Sequence, residues 1–341
     1  MMQYITRAVS KASNQIKINQ NKKRKGRFPV AVVGLGAWGN QYVRELLLNG
    51  HYEIKAVFDG NIEAGKKTAR KYKIPYAKDF IDLLDNYGAK AVFVLTPNAV
   101  HYEQLEESIK RRLHVYVEKP LTNSLQDADR IAELADANGI KVYVAHSMKL
   151  GKAFAEAKRL IETGLIGKVH LFEANRSLGN KRITGDSWRD NKELCPVRPM
   201  LQLGIHFLDV VQFLFGDILQ IEAMERNDVT QNELSDVIAV LIKTKECIGQ
   251  ISCSYATENT YRMSIYGTDG RIDINEEKME MYQKGAKRTL YHDLKRENLI
   301  QIELNEFYLW VKENKAPINS CENGVKMVRY INKIKERIEN D

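Results

Sequence analysis

The chain has 341 residues, 44% of them hydrophobic and 28% charged, and carries a formal net charge of +8. This length allows two domains with substantial cores. No apolar run approaches the roughly 18–20 residues that cross a bilayer, so the sequence predicts no transmembrane helix. The four cysteines (Cys195, Cys247, Cys253 and Cys321) form no CxxC pair and no metal-ligand spacing. We therefore expect a cytoplasmic protein without a metal site.

The positive charge belongs to the first 27 residues. This segment holds no acid and eight basic residues, namely Arg7, Lys11, Lys17, Lys22, Lys23, Arg24, Lys25 and Arg27. Because these eight account for the whole excess, the rest of the chain is formally neutral, and nucleic acid is not favoured as a partner. The tail itself is either a contact for nucleic acid or acidic lipid, or a solvated leader. A secretory signal is excluded, since no apolar h-region accompanies the charges.

Residues 28–149 alternate Val-rich runs with helix-length segments. The runs lie at 29–34, 53–59, 90–96, 113–119 and 141–146, and each is apolar on both faces. Parallel strands covered by helices have this pattern. One connecting helix is expected to begin after Ser124 and to end near Gly139. Strands alternating with helices predict a doubly wound parallel sheet.

Residues 150–341 show a different pattern of predicted strands and helices. After a helix at about 152–163, six strand-like runs follow one another between 168 and 277 with little helix among them. This succession is typical of an antiparallel sheet with one buried face. Two helices, at about 297–314 and 321–339, complete the chain. The pattern therefore predicts an α/β fold, with a parallel sheet first and an antiparallel sheet with helices in the second part of the chain.

A G-x-G-x-x-G motif follows the first predicted strand and opens the first helix. Its members are Gly34, Gly36 and Gly39, and Asp59 ends the second strand 20 residues later. Such glycines allow a tight turn, close approach of a pyrophosphate and close packing of helix on strand. An Asp at the second strand end binds a ribose 2′-hydroxyl and repels a 2′-phosphate. The alternative is a glycine-rich turn without a nucleotide. Asp59 therefore favours NAD over NADP. Lys66, Lys67 and Arg70 lie too far along the next helix to reverse this preference.

Two further motifs stand at the carboxyl ends of strands, where open α/β sheets bind their ligands. "LTPNAVH" occupies 95–101, and "VEKPL" occupies 117–121. In the first, Pro97 and Asn98 also suit a purely structural turn. In the second, Glu118 and Lys119 are adjacent charged residues at the end of an apolar strand. Burying them is costly unless they form an ion pair or take part in binding or catalysis.

These motifs, together with "GIHFLD" at 204–209, resemble the Gfo/Idh/MocA oxidoreductase family in order and spacing over about 28–335. The family includes glucose–fructose oxidoreductase, inositol dehydrogenase and nucleotide-sugar dehydrogenases. The resemblance implies an N-terminal Rossmann domain and a C-terminal substrate-binding α/β domain with a large, mostly antiparallel sheet. Homodimers or homotetramers assembled through the C-terminal sheet are implied as well. It also implies a catalytic Lys119, a catalytic His206 and a Lys119–Pro120 bond that is often cis. The expected cofactor contacts are Gly34, Gly36, Ala37, Trp38, Gly39, Asp59, Thr96, Pro97, Asn98, His101, Glu118 and Lys119.

The sequence departs from the family pattern just before His206. Many members carry an Asp four residues earlier, where this chain has Gln202, and glycines where it reads "CPVRPM" at 195–200. Gln cannot take a proton, although it can hold a sugar hydroxyl or orient a neighbour. Any mechanism that needs a Lys–Asp–His trio is therefore placed in doubt.

The stretch "LQLGIHFLDVVQFLFG" at 201–216 predicts a core helix whose first turns carry His206. As a general base, His206 would take the proton of a secondary alcohol, and an imidazole pKa near 6.5 suits that task. Lys119 would stabilise the developing alkoxide. Asp209, three residues on, either fixes the tautomer of His206 or is a remote acid of the helix surface. The alternative for His206 is a core histidine bonded to a backbone carbonyl.

A polar loop at 185–199 precedes this helix and supplies candidate substrate contacts. Trp188 would stack on a sugar or ribose, while Arg189 or Arg198 would pair with a phosphate or carboxylate. Together with Lys119, Gln202 and His206 they form the expected substrate site. Asn175 and Arg176 are weaker candidates, and a loop that packs Trp188 on its own domain is the alternative.

The expected function is hydride transfer between a nicotinamide cofactor and a secondary alcohol or ketone of a sugar, polyol or nucleotide sugar. Two alternatives remain open. One is a dinucleotide-binding regulator or sensor without turnover, and the other is a redox-neutral sugar enzyme that retains NAD. No membrane partner is expected.

Overall fold

The computed structural model describes residues 26–179, 188–192, 194–229 and 234–340, so most of the basic tail lies outside the described residues. The chain forms two compact units. The first contains the described residues through Glu118 together with Arg130–Ala145 and Ile300–Cys321. The second contains Lys119–Asp129, His146–Leu299 and the described residues from Glu322 onward. The units interleave along the chain, whereas the sequence placed a single boundary between 149 and 150.

The first unit is built on a five-stranded parallel sheet in the order β2-β1-β3-β4-β5. Its strands are β1 (Phe28–Val33), β2 (Tyr52–Phe58), β3 (Ala91–Val94), β4 (His114–Glu118) and β5 (Val142–Ala145). β3 and β5 are buried at every position, as expected of strands covered on both faces. All five lie close to the predicted runs, and the predicted parallel sheet is confirmed.

The helices of the first half of the chain are α1 (Ala37–Leu48), α2 (Ile62–Tyr72), α3 (Phe80–Asp85), α4 (His101–Lys110) and α5 (Leu125–Asn138). The N-cap predicted for α5 is present, because Ser124 Oγ accepts from the N–H of Asp127 at 3.1 Å. Gly139 follows that helix with φ +63°, as expected of a helix-ending glycine. The core of the first unit also includes Leu304 and Phe307 of α8 (Leu299–Glu313).

The second unit contains an eight-stranded sheet in the order β13-β12-β11-β10-β6-β9-β8-β7. Every pair is antiparallel except β6 with β9. The strands are β6 (Val169–Ser177), β7 (Ile218–Arg226), β8 (Val237–Thr244), β9 (Ile248–Ser254), β10 (Thr260–Gly267), β11 (Gly270–Asn275), β12 (Lys278–Gln283) and β13 (Ala286–His292). The predicted large, mostly antiparallel sheet is therefore confirmed.

The helices of this unit are α6 (Lys152–Glu162), α7 (Ile205–Phe215) and most of α9 (Cys321–Glu339). A π-helical turn, Met200–Gly204, leads directly into α7, and Gly216 ends α7 with φ +81°. The predicted helix thus begins as a wider turn that contains Gln202. From Phe207 onward α7 buries nearly all of its apolar side chains in the core of the second unit.

The sequence analysis did not assign β12 and β13, although Lys278, Met279, Glu280 and Met281 alternate between charged and apolar residues. In β12 three consecutive residues, Met279, Glu280 and Met281, are buried, and β13 is a mostly exposed edge strand. Among the described residues, no helix combines the length and apolar character that membrane crossing requires.

Candidate functional site

The glycine motif lies at the junction of β1 and α1 and has the geometry of a dinucleotide loop. Gly34 has φ +90°, and a Cβ there would lie 2.6 Å from the carbonyl group of Leu95. A Cβ at Gly39 would collide with the carbonyl oxygen of Gly34, so helix and strand approach closely. At Gly36 a Cβ would meet no atom within 4 Å, which leaves open space at the N-terminus of α1. As N-cap, Gly36 has no side chain to accept from the helix N–H groups, which suits an anion.

Asp59 follows β2 and binds the glycine loop. Its Oδ2 accepts from the N–H of Leu35 at 2.5 Å, and its Oδ1 accepts from the N–H of Asn61 at 2.7 Å. A carboxylate has about four acceptor positions, so each oxygen retains one for a ribose hydroxyl. Asp59 is thus both an anchor for the loop and a candidate ribose acceptor.

The "TPNAVH" segment follows β3. A single 3₁₀ turn, Asn98–Val100, leads into α4, and Asn98 is buried. His101 is fully buried, with Nε2 3.1 Å from the carbonyl oxygen of Thr96, whose hydroxyl donates to Gln104 at 2.6 Å. His101 therefore holds this turn from within, and its side chain has no access to solvent.

Glu118 ends β4 and binds Trp38. The indole Nε1 of Trp38 donates to Glu118 Oε1 at 2.5 Å, and its ring packs edge-on against Tyr42 one helical turn later. The hydroxyl of Tyr42 lies 2.9 Å from that of Tyr116, and both contact Oε2 of Glu303, at 3.2 and 3.0 Å. Glu118 is therefore attached to a buried network of hydroxyl and carboxyl groups within the first unit.

Lys119 follows Glu118 and belongs to the second unit. Its peptide bond to Pro120 is cis, as the resemblance implied. Its Nζ donates to the backbone carbonyl of Gln202 at 3.1 Å. Since Gln202 lies in the π-helical turn that opens α7, Lys119 is fixed to the segment that presents His206. The structure thus brings Lys119 and the start of the His206 helix together.

His206 lies in the first turn of α7, and its Nδ1 is buried without a hydrogen-bond partner in the part of the chain that is described. This disfavours the alternative of a core histidine bonded through that atom to a carbonyl. Burial, followed by the charges of Lys119 and Arg176 and by His146, holds the pKa of His206 well below its ordinary value. This corrects the expectation of a pKa near 6.5, and it leaves the imidazole neutral at neutral pH.

The side chains expected to assist His206 have other partners. Gln202 Nε2 lies 3.4 Å from Sγ of Cys195, whose thiol pKa is raised to about 11 by burial. Asp209 is neither the tautomer-fixing acid nor a surface acid. It is fully buried, and its Oδ1 accepts from Nζ of Lys149 at 2.7 Å. His146 and Lys149, which the sequence analysis missed, therefore lie close to the proposed machinery. Their one sequence signal is that they follow a parallel strand at its carboxyl end, as Glu118 and Lys119 do.

Of the loop residues, Trp188 and Arg189 stack on each other, with the guanidinium 4.3 Å from the ring centroid. Arg198 is almost fully buried, and its Nη1 donates to Asp190 Oδ1 at 2.7 Å. It therefore pairs with an acid of its own loop, which argues against the expected pairing with a substrate anion. Val197, just before it, has φ +44°, a strained conformation for a β-branched residue.

The two weaker candidates lie on opposite faces of β6. Asn175 donates to the hydroxyl of Ser252 at 2.7 Å. Arg176 lies over the ring of Tyr261, and its charge acts on His206. Arg176 therefore lies nearer the proposed machinery than Asn175 does. Among the described residues, no cluster of three or more His, Cys, Asp or Glu side chains is placed to hold a metal ion.

Comparison with known families matches both halves of the chain. Residues 28–146 match the oxidoreductase family described by its NAD-binding Rossmann fold, and residues 154–273 match the GFO/IDH/MocA C-terminal domain. The chain belongs to the GFO/IDH/MocA family. It is therefore an oxidoreductase of a family whose members bind a nicotinamide dinucleotide, and the glycine loop and Asp59 fit that group.

Individual relatives are distant. The chain is 23% identical over 324 residues to a myo-inositol 2-dehydrogenase of Thermotoga maritima, covering 86% of this chain and 91% of the relative. It is 31% identical over 186 residues to a 2,7-anhydro-N-acetylneuraminate hydratase of Mediterraneibacter gnavus, covering 54% of this chain and about half, 49%, of that protein. A solved oxidoreductase of Desulfitobacterium hafniense superposes with a TM-score of 0.87 at 20% identity, covering 92% and 96% of the two chains. That superposition supports the fold alone.

Proposed function

We propose that the protein is a dehydrogenase that oxidises a secondary alcohol of a sugar, polyol or nucleotide sugar, with NAD preferred over NADP. The observation that carries the proposal is the attachment of Lys119 to the carbonyl of Gln202, in the turn that opens the His206 helix. A cation and a neutral imidazole are thereby fixed to one segment. Oxidation of an alcohol needs both groups at the same oxygen.

When bound, the nicotinamide supplies the hydride acceptor. His206, neutral because its pKa is depressed, accepts the hydroxyl proton as the carbonyl forms. Lys119 donates a hydrogen bond to the same oxygen and stabilises its developing negative charge. In the reverse direction, protonated His206 returns the proton to the alkoxide. With oxidised cofactor and alcohol as reactants, the products are the ketone, the reduced cofactor and one proton.

The test is turnover, followed as nicotinamide absorbance. The purified chain is first screened by thermal shift with NAD(H) and NADP(H), and then with inositols, hexoses and nucleotide sugars. Lys119→Ala and His206→Ala are each expected to lower turnover at least 100-fold, an effect of about 3 kcal/mol on the barrier. Matched controls are Lys168→Ala and His170→Ala, which alter exposed residues at the start of β6. Near-normal rates in the first two variants contradict the assignment.

A second candidate is redox-neutral chemistry with NAD retained by the protein, which the similarity to the hydratase favours. The same assay separates the two functions. A dehydrogenase accumulates reduced cofactor in proportion to product, whereas the redox-neutral reaction forms product without net reduced cofactor. A regulator without turnover would show a thermal shift with a dinucleotide and no product.

Self-assembly through the antiparallel sheet is also part of the proposal. Its support is a set of exposed apolar side chains on or beside β7, β8 and β9, with exposed fractions of 57 to 75%: Leu219, Met224, Leu241 and Ile248. Exposed apolar clusters of this kind mark interaction surfaces. Leu241→Lys combined with Ile248→Lys is expected to lower the molar mass measured by light scattering. An unchanged mass contradicts this interface.

A cytoplasmic location is supported by the cysteines, all four of which are free thiols. Unpaired thiols suit a reducing compartment. Fractionation of the native host with an antibody against the chain is the test, and recovery outside the cytoplasm contradicts this part of the proposal.

A further inference from the structure

The second unit contains an ion pair with almost no access to solvent. Lys149 Nζ and Asp209 Oδ1 are 2.7 Å apart, and each side chain is only 1% exposed. Lys149 lies in the 3₁₀ turn Met148–Leu150 that follows β5, and Asp209 lies in α7, three residues after His206. Asn323 of α9 donates to the same Oδ1 at 2.8 Å.

This pair joins the 3₁₀ turn after β5 to α7, the helix that carries the proposed base. A buried carboxylate without a countercharge is strongly disfavoured, so Asp209 depends on Lys149. Since Asp209 is about one turn from His206 on the same helix, the pair also fixes the rotation of α7 about its axis. Asp209 Oδ2 makes no hydrogen bond to any described residue, so Lys149 and Asn323 supply the hydrogen bonds observed on this carboxylate.

His146 lies within the electrostatic reach of the pair. It is buried, three residues before Lys149, and burial is the main cause that lowers its pKa to about 4. Asp209 acts in the opposite direction and raises this pKa, whereas Lys149 and Lys119 lower it. The protonation of His146 thus depends on both members of the pair. It matters for the reaction because a charge on His146 acts on His206.

The other polar or titratable groups of the second unit around His206 come from several elements. They are Lys119 after β4, Arg176 on β6, Cys195 beside the π-helical turn, Cys253 on β9 and Tyr261 on β10. Burial raises the pKa of Tyr261 and of both thiols, which keeps those three groups neutral. Asp209 is the acid whose charge acts on His146. The charge state of His146 therefore depends on whether Lys149 compensates the Asp209 carboxylate.

We propose that Lys149 is a positioning residue for the His206 site: its ammonium neutralises Asp209, fixes the turn of α7 that carries His206, and keeps the neighbouring His146 uncharged. The inference rests on the proposed role of His206 as base. Lys149 does not touch the substrate in this account; it acts through Asp209 and His146.

The experiment compares Lys149→Met, Asp209→Asn and the double variant K149M/D209N in the full-length chain. Titration of ¹³C-labelled histidine rings by NMR, with the His146 signal assigned by its loss in His146→Gln, reports the charge of His146 without turnover. Lys149→Met leaves the Asp209 carboxylate uncompensated and is expected to move the His146 titration up by at least about one pH unit. Asp209→Asn is expected to move it down or leave it below the measurable range, and the double variant to return it close to that of the wild type.

The kinetic signature follows from the same charges. With the alcohol selected by the screen above, the acid limb of kcat/KM is expected at higher pH in Lys149→Met, because the uncompensated Asp209 carboxylate favours the protonated form of the nearby His206, while KM stays nearly unchanged. Asp209→Asn and the double variant should not move the limb upward. The matched control is Lys335→Met, which removes a more exposed ion pair with Glu339 on α9 and should leave both readouts unchanged.

Equal shifts in Lys149→Met and Asp209→Asn, or no shift in either, overturn the proposal, because a purely structural role does not produce opposite signs. If Lys149→Met does not fold, the decisive comparison is Asp209→Asn with the double variant, whose His146 titrations must differ. Identical curves overturn the proposal. If even the wild type turns over no alcohol, the proposed function fails, and the NMR titration still decides the role of Lys149 on His146.

Discussion

Lys119 donates its ammonium hydrogen bond to the backbone carbonyl of Gln202, at 3.1 Å, and leaves the Gln202 side chain to Cys195. The position at which many family members carry an Asp therefore contributes through its main chain here. The main-chain carbonyl of Gln202 thus binds Lys119, whereas its side-chain amide does not. A substitution that changes only the side chain can test which of the two matters for turnover.

Replacement of Gln202 by Met is expected to lower turnover less than tenfold, because the carbonyl that holds Lys119 is retained. The measurement is kcat and KM for the selected alcohol, with Lys119→Ala as the comparison that removes the other partner. A loss of 100-fold or more in Gln202→Met would assign a direct chemical role to the amide and contradict this account.

The pH dependence of alcohol oxidation should reflect the lowered pKa of His206. A base acts in its neutral form, which exists above its pKa, and burial together with Lys119 and Arg176 moves that pKa below 6.5. The acid limb of kcat/KM is therefore expected below pH 6.5, with full activity retained at pH 7. A limb at or above 6.5 would show that another group titrates or that the base is more exposed than the structure has it.

Asp59 is expected to control both the affinity for the dinucleotide and the choice between NAD and NADP. Asp59→Ala removes the acceptor of the Leu35 N–H and the charge that repels a 2′-phosphate. We expect NAD to bind about tenfold more weakly, an effect of about 1.4 kcal/mol, while NADP binding changes less. Dissociation constants from calorimetry provide the measurement, with the exposed Glu53→Gln of β2 as control. An unchanged ratio of the two constants contradicts the role.

Glu303 should make the stability of the protein fall as pH rises above its ordinary pKa. It is fully buried, and burial followed by the charge of Glu118 raises its pKa well above 4.5. Three contacts join Glu303 Oε2 and the hydroxyls of Tyr42 and Tyr116. Tyr42 and Tyr116 each donate to Glu303 Oε2, and these bonds only partly offset the cost of ionising a buried carboxyl group.

The sign follows from linkage. Below about pH 4.3 the acid is protonated in both folded and unfolded chains, so its stabilising contribution is fully present. As pH rises, the unfolded acid ionises first, and up to the raised folded pKa the folded state loses about 1.4 kcal/mol for each pH unit. Glu303→Gln removes this dependence, so its melting temperature should exceed that of the wild type increasingly from pH 5 to 8. The exposed Glu313→Gln on the same helix is the control, and parallel melting curves for Glu303→Gln and wild type contradict an uncharged Glu303.

The local structure of the first domain could be predicted from sequence because its signals are short-range. Apolar runs mark β1 to β5, and Gly34 and Gly39 occur where a side chain would strain or block the turn. The hairpin of β12 and β13 was missed because β12 alternates over only four residues, Lys278 to Met281, and β13 is a mostly exposed edge strand with few apolar residues. The interleaving of the units was also missed, because the sequence of α8 does not indicate which of the two sheets its apolar face covers. In the structure Leu304 and Phe307 of α8 belong to the core of the first unit.

The sequence by itself determined the residue types and their order: a glycine loop, an acid after β2, Lys119 after β4 and His206 at the start of a core helix. Only the tertiary structure decided their partners. It paired Asp209 with Lys149 and Arg198 with Asp190, although Asp209 was expected either to fix the tautomer of His206 or to lie on the helix surface, and Arg198 to contact a substrate. The physical reason is that a buried charge must find a countercharge in three dimensions, and Lys149 and Asp209 are 60 residues apart in the chain. Hydrophobic periodicity indicates which face of a helix or strand is buried. It does not indicate which oppositely charged residue will pair with a charged side chain on that face.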